Sequence, residues 1–160
     1  MVGLIANHIN LKKMTVEQSI NRLEFLTSHI PRLLSEIEEA NLSLKISPKK
    51  WSKKEIIGHL IDSATNNHQR FIRGQFELNP EISYNQDKWN EFNFYNDISG
   101  KQIISFWKFY NQQLMEIVKR IPKENLSKEV RIEDKSLTLA FLFIDYVKHL
   151  EHHLKQIVEY

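Results

Sequence analysis

The chain has 160 residues, with 22 Lys and Arg against 20 Asp and Glu for a formal charge of +2, no cysteine, four glycines and seven histidines. One domain with its own core is the expectation at this length, and a charge so near balance argues against a nucleic-acid partner held by bulk electrostatics. Without cysteine there are no disulfides, thiolate zinc sites, iron–sulfur clusters or cysteine nucleophiles, so any metal must be held by imidazole and carboxylate.

Residues 1–14 read as a leader or a docked tail ahead of a single domain over 15–160. Their apolar stretch Met1 to Ala6 lacks a basic flank and stops at Asn7, short for a signal-peptide core. Apolar residues then recur every three or four positions with few Gly or Pro between them, which predicts an all-α protein. The first helical stretch covers about Thr15 to Ala40, begins with the capping-box pair Thr15 and Gln18, and is expected to kink or restart at Pro31. After a connector ending in Lys50, Ser52 and Glu55 form a second capping box and open a helix that runs to about Glu77. Trp51 with Ile56 is placed to staple that helix start. The lysines at 49, 50, 53 and 54 read as a solvated cluster beside it.

Asn79-Pro80 ends the second helix, and residues 79–98 form a polar crossover rich in aromatics. Those aromatics, with Trp107, Phe109 and Tyr110 beyond, are expected to pack, because no basic stripe interleaves them. Ser99 and Gln102 mark a third helix to Ile121, with Ile98 and Ile103 as its staple, and Pro122 stops it. A fourth starts near Ser136 or Thr138 and continues close to Tyr160. Its apolar run Leu139 to Ile144 is far below the roughly 18 to 20 residues a membrane helix needs. Four long helices imply a four-helix bundle, and a connection of roughly 20 residues between the second and third is long enough to cross it. A cytoplasmic protein with no membrane partner is expected.

Histidine is the residue to follow. His149 and His153, four apart, lie on one helix face and suit two ligands of one ion. His149 and His152, three apart, also converge, and helical rotation alone does not choose between them. Leu150 follows His149, so the His-Glu-x-x-His arrangement of zinc proteases is absent. His59 is the third candidate, set among Ile56, Ile57, Leu60 and Ile61, where an inward imidazole needs a partner: a metal, or a single hydrogen bond in a plain core. The same stripe continues through Ser63, Asn66 and Arg70, either an interior cleft or a buried polar network. His8, His29 and His68 have no comparable partners and read as surface residues.

The run Trp51-Ser52-Lys53-Lys54-Glu55-Ile56-Ile57-Gly58-His59-Leu60-Ile61-Asp62-Ser63, followed by Asn67, Arg70 and Phe71, resembles the second-helix motif of the DinB-like superfamily. The resemblance is in particular to the YfiT-like branch, whose members are called metal-dependent hydrolases by inference. Pro80-x-Ile82 and Trp89-Asn90-Glu91 resemble that branch's crossover, and His149 to Ile157 its terminal motif. The resemblance covers about residues 15–160. It implies an unusual four-helix bundle and a divalent metal, nickel or zinc, on His59, His149 and His153, with His152 at the non-ligand position. Other members resemble S-transferases using bacillithiol or mycothiol, or thiol-dependent isomerases, so fold and ligands do not choose the reaction.

The resemblance implies a metal-dependent enzyme of the thiol S-transferase or hydrolase type acting on a small molecule. The alternative is a non-catalytic metal-binding or dimerisation bundle; a homodimer, two copies joined through bundle faces, is compatible with the resemblance. Three neutral imidazoles leave the ion's charge uncompensated, which favours deprotonation of a bound water or thiol. With no cysteine in the chain, a thiolate must come from a low-molecular-weight cosubstrate. Asn66, Asn67 and Arg70 are candidates to orient an anionic substrate, Arg through its planar donor fork. Asp62 is a candidate proton acceptor but projects about 60° from His59 on an ideal helix. Gln156 lies one turn beyond His153.

Overall fold

A computed structural model describes residues 14–160; the expected leader or docked tail, apart from Met14, and His8 lie outside the described residues. Four long helices dominate: α1 (Val16–Ser35), α3 (Lys53–Arg73), α5 (Gly100–Arg120) and α6 (Leu139–Leu154). Two short ones, α2 (Glu39–Ser43) and α4 (Gln86–Phe92), lie in the connections. α1 packs on α5 and α6, and α3 packs on the same two, so α1 and α3 lie on one diagonal of the bundle and α5 and α6 on the other. This threading carries the α1–α3 and α5–α6 connections across the diagonals, while the crossover joins the adjacent α3 and α5. Its consequence is that α3 and α6, far apart in sequence, share an interface.

The core is made by the apolar stripes: Leu23, Leu26, Ile30 and Leu34 from α1, Ile57, Leu60 and Phe71 from α3, Trp107 and Leu114 from α5, and Val147, Leu150 and Leu154 from α6. All are almost fully removed from water, which contributes about 1.5–3 kcal/mol for each large apolar side chain. Reciprocal capping boxes at Thr15 and Ser52 start α1 and α3. At Ser99 only half of the expected box forms: its side chain accepts from the Gln102 backbone N–H.

Helix α1 runs through Pro31 without a break, and the restart comes after Ser35 instead. A proline removes one helical hydrogen bond, and burial of Leu26, Ile30 and Leu34 on both sides holds the turn in place. Lys54 differs from its expected solvated state. It is buried, pairs with Glu39 and donates to the Asn96 carbonyl at 3.1 Å, fixing the start of α3 to α2 and to the crossover. α3 ends at Arg73, four residues before the expected Glu77. α6 likewise stops at Leu154, short of Tyr160.

An unforeseen element is the antiparallel hairpin β1 (Glu129–Ile132) and β2 (Lys135–Thr138). Its two-residue turn contains Glu133 at φ 53°, without the Gly or Asn that usually signals such a turn. The crossover joins it as Ile82 N–H donates to the Arg131 carbonyl and Arg131 N–H to that of Pro80. The expected packing of the aromatics holds for Trp107, whereas Phe92, Phe94 and Phe109 are exposed. His68 is half-buried against the Tyr110 hydroxyl at 3.0 Å, not free on the surface. No helix among the described residues is long and apolar enough to cross a membrane.

Candidate metal centre

The α3–α6 interface brings His59, His149 and His153 together. Each offers a ring nitrogen, and these atoms all lie within 4.8 Å of one another. The Nε2 atoms of His59 and His149 face each other at 3.1 Å, close to the roughly 3.3 Å edge of a tetrahedral site whose bonds are about 2.0–2.1 Å long. Ring centroids are 5.0 Å apart for His59 and His149, 4.8 Å for His59 and His153, and 4.6 Å for His149 and His153. The donor set therefore fits a divalent first-row metal ion. His152, exposed on the outer side of α6, stays outside the cluster.

Burial and mutual repulsion keep the rings neutral. Desolvation, and then the neighbouring histidines, lower the pKa of His59 to about 3 and that of His149 to about 4, and His153 is lowered for the same first reason. Lone pairs are thus available at neutral pH, which is the state a metal requires. Two contacts orient the rings. The Trp51 indole packs on the His59 ring at 4.9 Å between centroids, a role beyond the staple expected of it. The carbonyl of the Gln156 side chain lies 3.1 Å from His153 Nδ1, so it accepts that N–H and leaves Nε2 free as a ligand. Arg22 of α1 pairs with Glu151 on the same end of α6, closing the bundle over this region. Replacing Gln156 by alanine is expected to weaken metal binding about 10- to 100-fold without loss of helicity, measurable by competition with a chelating dye.

A cavity of about 270 Å³ adjoins the cluster, with His149 in its wall. Ser63, Asn67 and Arg70 form the α3 side, and Tyr84 comes from the crossover. Sequence reasoning misses Tyr84 as a site residue, because nothing local separates it from the other crossover aromatics. Arg70 is buried, donates through Nε and Nη2 to the Ile82 carbonyl at 3.2 and 3.0 Å, and reaches Asn67 Oδ1 through Nη1 at 3.4 Å. Among the described residues no carboxylate forms an ion pair with it, and burial lowers its pKa. Asn66 is placed differently: its amide folds back onto the Asp62 carbonyl at 2.9 Å, and it is not among the residues lining this cavity. Asp62 also turns away. Its Oδ1 accepts from the Tyr95 hydroxyl and the Asn93 amide, and it has no hydrogen bond to a histidine of the cluster.

Comparisons with known proteins agree with this architecture. The DinB superfamily profile matches residues 22–157. A Bacillus mycoides protein named "putative metal-dependent hydrolase" is 26% identical over 91 residues, 56% of this chain and 49% of its own. A Bacillus cereus protein of the same description is 25% identical over 77 residues, 48% of this chain and 44% of its own. The chain thus spans about half the length of the curated relatives it matches. Among solved structures, YfiT from Bacillus subtilis, described as a probable metal-dependent hydrolase with an unusual four-helix bundle topology, superposes with a TM-score of 0.80 at 19% identity, covering 89% of this chain and 83% of that one. A mycothiol-dependent maleylpyruvate isomerase gives 0.73 at 12% identity, covering 89% and 60%. Sequence profile and bundle topology together make the chain a member of the DinB superfamily with a YfiT-like fold.

Proposed function

We propose that the protein is a divalent-metal-dependent enzyme of the hydrolase or thiol S-transferase type, with His59, His149 and His153 as the ligands of nickel or zinc. The observation that carries this reading is the convergence of three neutral imidazoles beside a cavity whose wall holds Arg70, which makes no ion pair among the described residues although Asp145 lines the same cavity. A bound ion with three protein ligands retains open positions at which a water or a small thiol loses its proton more readily. The thiol is a separate molecule, since the chain has none.

The protein's own groups supply the rest. Tyr84 and Ser63 bring hydroxyls into the cavity wall, and Arg70 presents the N–H donors that Ile82 and Asn67 leave unused. Arg70 and Asn67 would hold an anionic group of the substrate, with its reacting centre toward His149. Asn66 would contribute through the shape of α3 around Asp62, since its amide is already engaged.

The test begins with protein purified without an affinity tag and reconstituted with Ni²⁺ or Zn²⁺. About one ion per chain is expected, followed by metal-dependent ester hydrolysis or conjugation of a small thiol to an electrophile. Failure to retain an ion overturns the metal site, while a retained but catalytically silent ion with a closed coordination sphere favours the non-catalytic metal-binding bundle. Arg70→Lys keeps the charge but loses the planar fork. It is expected to raise KM for a carboxylate substrate about 10-fold while kcat changes little; an unchanged KM would remove Arg70 from the binding role.

A further inference from the structure

A different face of α3 carries a second constellation. Asp62 is 1% exposed. Its Oδ1 accepts from the Tyr95 hydroxyl at 2.6 Å and from Asn93 Nδ2 at 2.9 Å, whereas Oδ2, equally buried, has no partner. The residue forms part of the wall of a cavity of about 440 Å³ between α3, α4 and α5. Ile61, Trp89, Ile103 and Phe106 make that cavity mainly apolar, and Gln102 stands at its exposed side. None of the clustered histidines lines it, nor does any Lys or Arg.

An unpaired buried carboxylate is an expensive feature, because its desolvation is not repaid by a counter-charge. Burial shifts the Asp62 pKa up to about 6, and the two hydrogen bonds to Oδ1 oppose that shift without cancelling it. At neutral pH the group is still mostly ionised. The free oxygen lacks a hydrogen-bond donor; a cationic donor would also offset its charge, and the aromatic faces of Trp89 and Phe106 favour a cation as well. The volume lies within the range of pockets that enclose small organic molecules.

We infer that this cavity is a second ligand site, taking a small organic amine whose ammonium group pairs with Oδ2 of Asp62 and whose apolar body lies against Trp89 and Phe106. A neutral alcohol of the same shape would offer a hydrogen bond but no charge, and an anion would meet the carboxylate directly. The site lies on another face of α3 from the histidine cluster and does not depend on the metal.

The experiment is a titration of the metal-free 160-residue protein with 2-phenylethylamine, followed by calorimetry and by saturation-transfer NMR, with 2-phenylethanol and 3-phenylpropionate as neutral and anionic controls. Saturable binding of the amine at millimolar concentration or below is expected, weaker binding of the alcohol, and none of the acid. Asp62→Asn retains the acceptor for Tyr95 and Asn93 and is expected to weaken amine binding at least about 10-fold. Gln102→Trp, on the exposed rim, is expected to block the cavity with the fold intact. Absence of saturable binding, equal binding of amine and acid, or full amine affinity in Gln102→Trp overturns the proposal. If Asp62→Asn fails to fold, the rim variant and the ligand controls still decide it.

Discussion

Replacing His149 by alanine is expected to weaken Zn²⁺ or Ni²⁺ binding by more than about 100-fold, while His152→Ala binds as the unaltered protein does. His149 Nε2 lies 3.1 Å from that of His59, and its ring stands 4.6 Å from that of His153, so it is the member shared by both close contacts. His152 contributes no atom to the cluster. Calorimetric titration of both variants measures the contrast; a His152→Ala variant that loses the ion while His149→Ala keeps it would overturn the ligand assignment.

The same burial sets a pH dependence. Unfolded histidines titrate near 6.5, whereas His59 and His149 do so at about 3 and about 4 in the fold. Between those values the unfolded chain binds protons that the native state refuses, so metal-free stability falls as pH drops below about 6.5 and these histidines add no slope above it. In the folded protein, protons would compete with an ion for these rings only toward the pH at which His59 and His149 themselves titrate, about 3 and about 4. Thermal melts of metal-free protein from pH 8 to pH 4 are expected to show a steeper acidic decline for the unaltered chain than for His59→Asn. Equal slopes would mean that His59 is not held neutral by the fold.

The largest effect on stability from a single methyl group is expected at Gly58, next to the first ligand. A Cβ there would sit well inside van der Waals contact with the Cγ, Cδ2 and Cε2 atoms of Tyr95. That ring is 7% exposed, and its hydroxyl is tied to Asp62, so it cannot withdraw without breaking a buried hydrogen bond. Overpacking of this kind costs about 3 kcal/mol, offset by about 1 kcal/mol from the better helix propensity of alanine. Gly58→Ala is therefore expected to destabilise the protein by about 2 kcal/mol in denaturant unfolding. In a Tyr95→Ala background the same substitution should be neutral or stabilising; an equal loss in both backgrounds would rule out the collision with Tyr95 as its cause.

Helix existence was legible because it depends on neighbours in the chain. Thr15 and Ser52 satisfy backbone N–H groups three residues away, and Leu23, Leu26, Ile30 and Leu34 recur with the helical period. The hairpin was not legible, since Glu133 takes a positive φ without the usual residue for it and the strands gain support from the crossover, about 50 residues back. The burial of Lys54 and His68 escaped sequence reading for a related reason: Glu39, Asn96 and Tyr110 come from other elements.

The histidine cluster divides the same way. Spacing on one helix places His149, His152 and His153 within a turn of one another, and resemblance to a family motif names His59 as their companion, both from the amino-acid order alone. Which ring turns toward α3, that Arg70 and Asn67 share a cavity wall with His149 while Asn66 does not, and that Asp62 faces Tyr95, are decided by the packing of α3 against α6 on one side and the crossover on another. Residues one position apart on a helix differ by about 100° in direction. Sequence determines that spacing, but only the neighbouring elements determine what each direction meets.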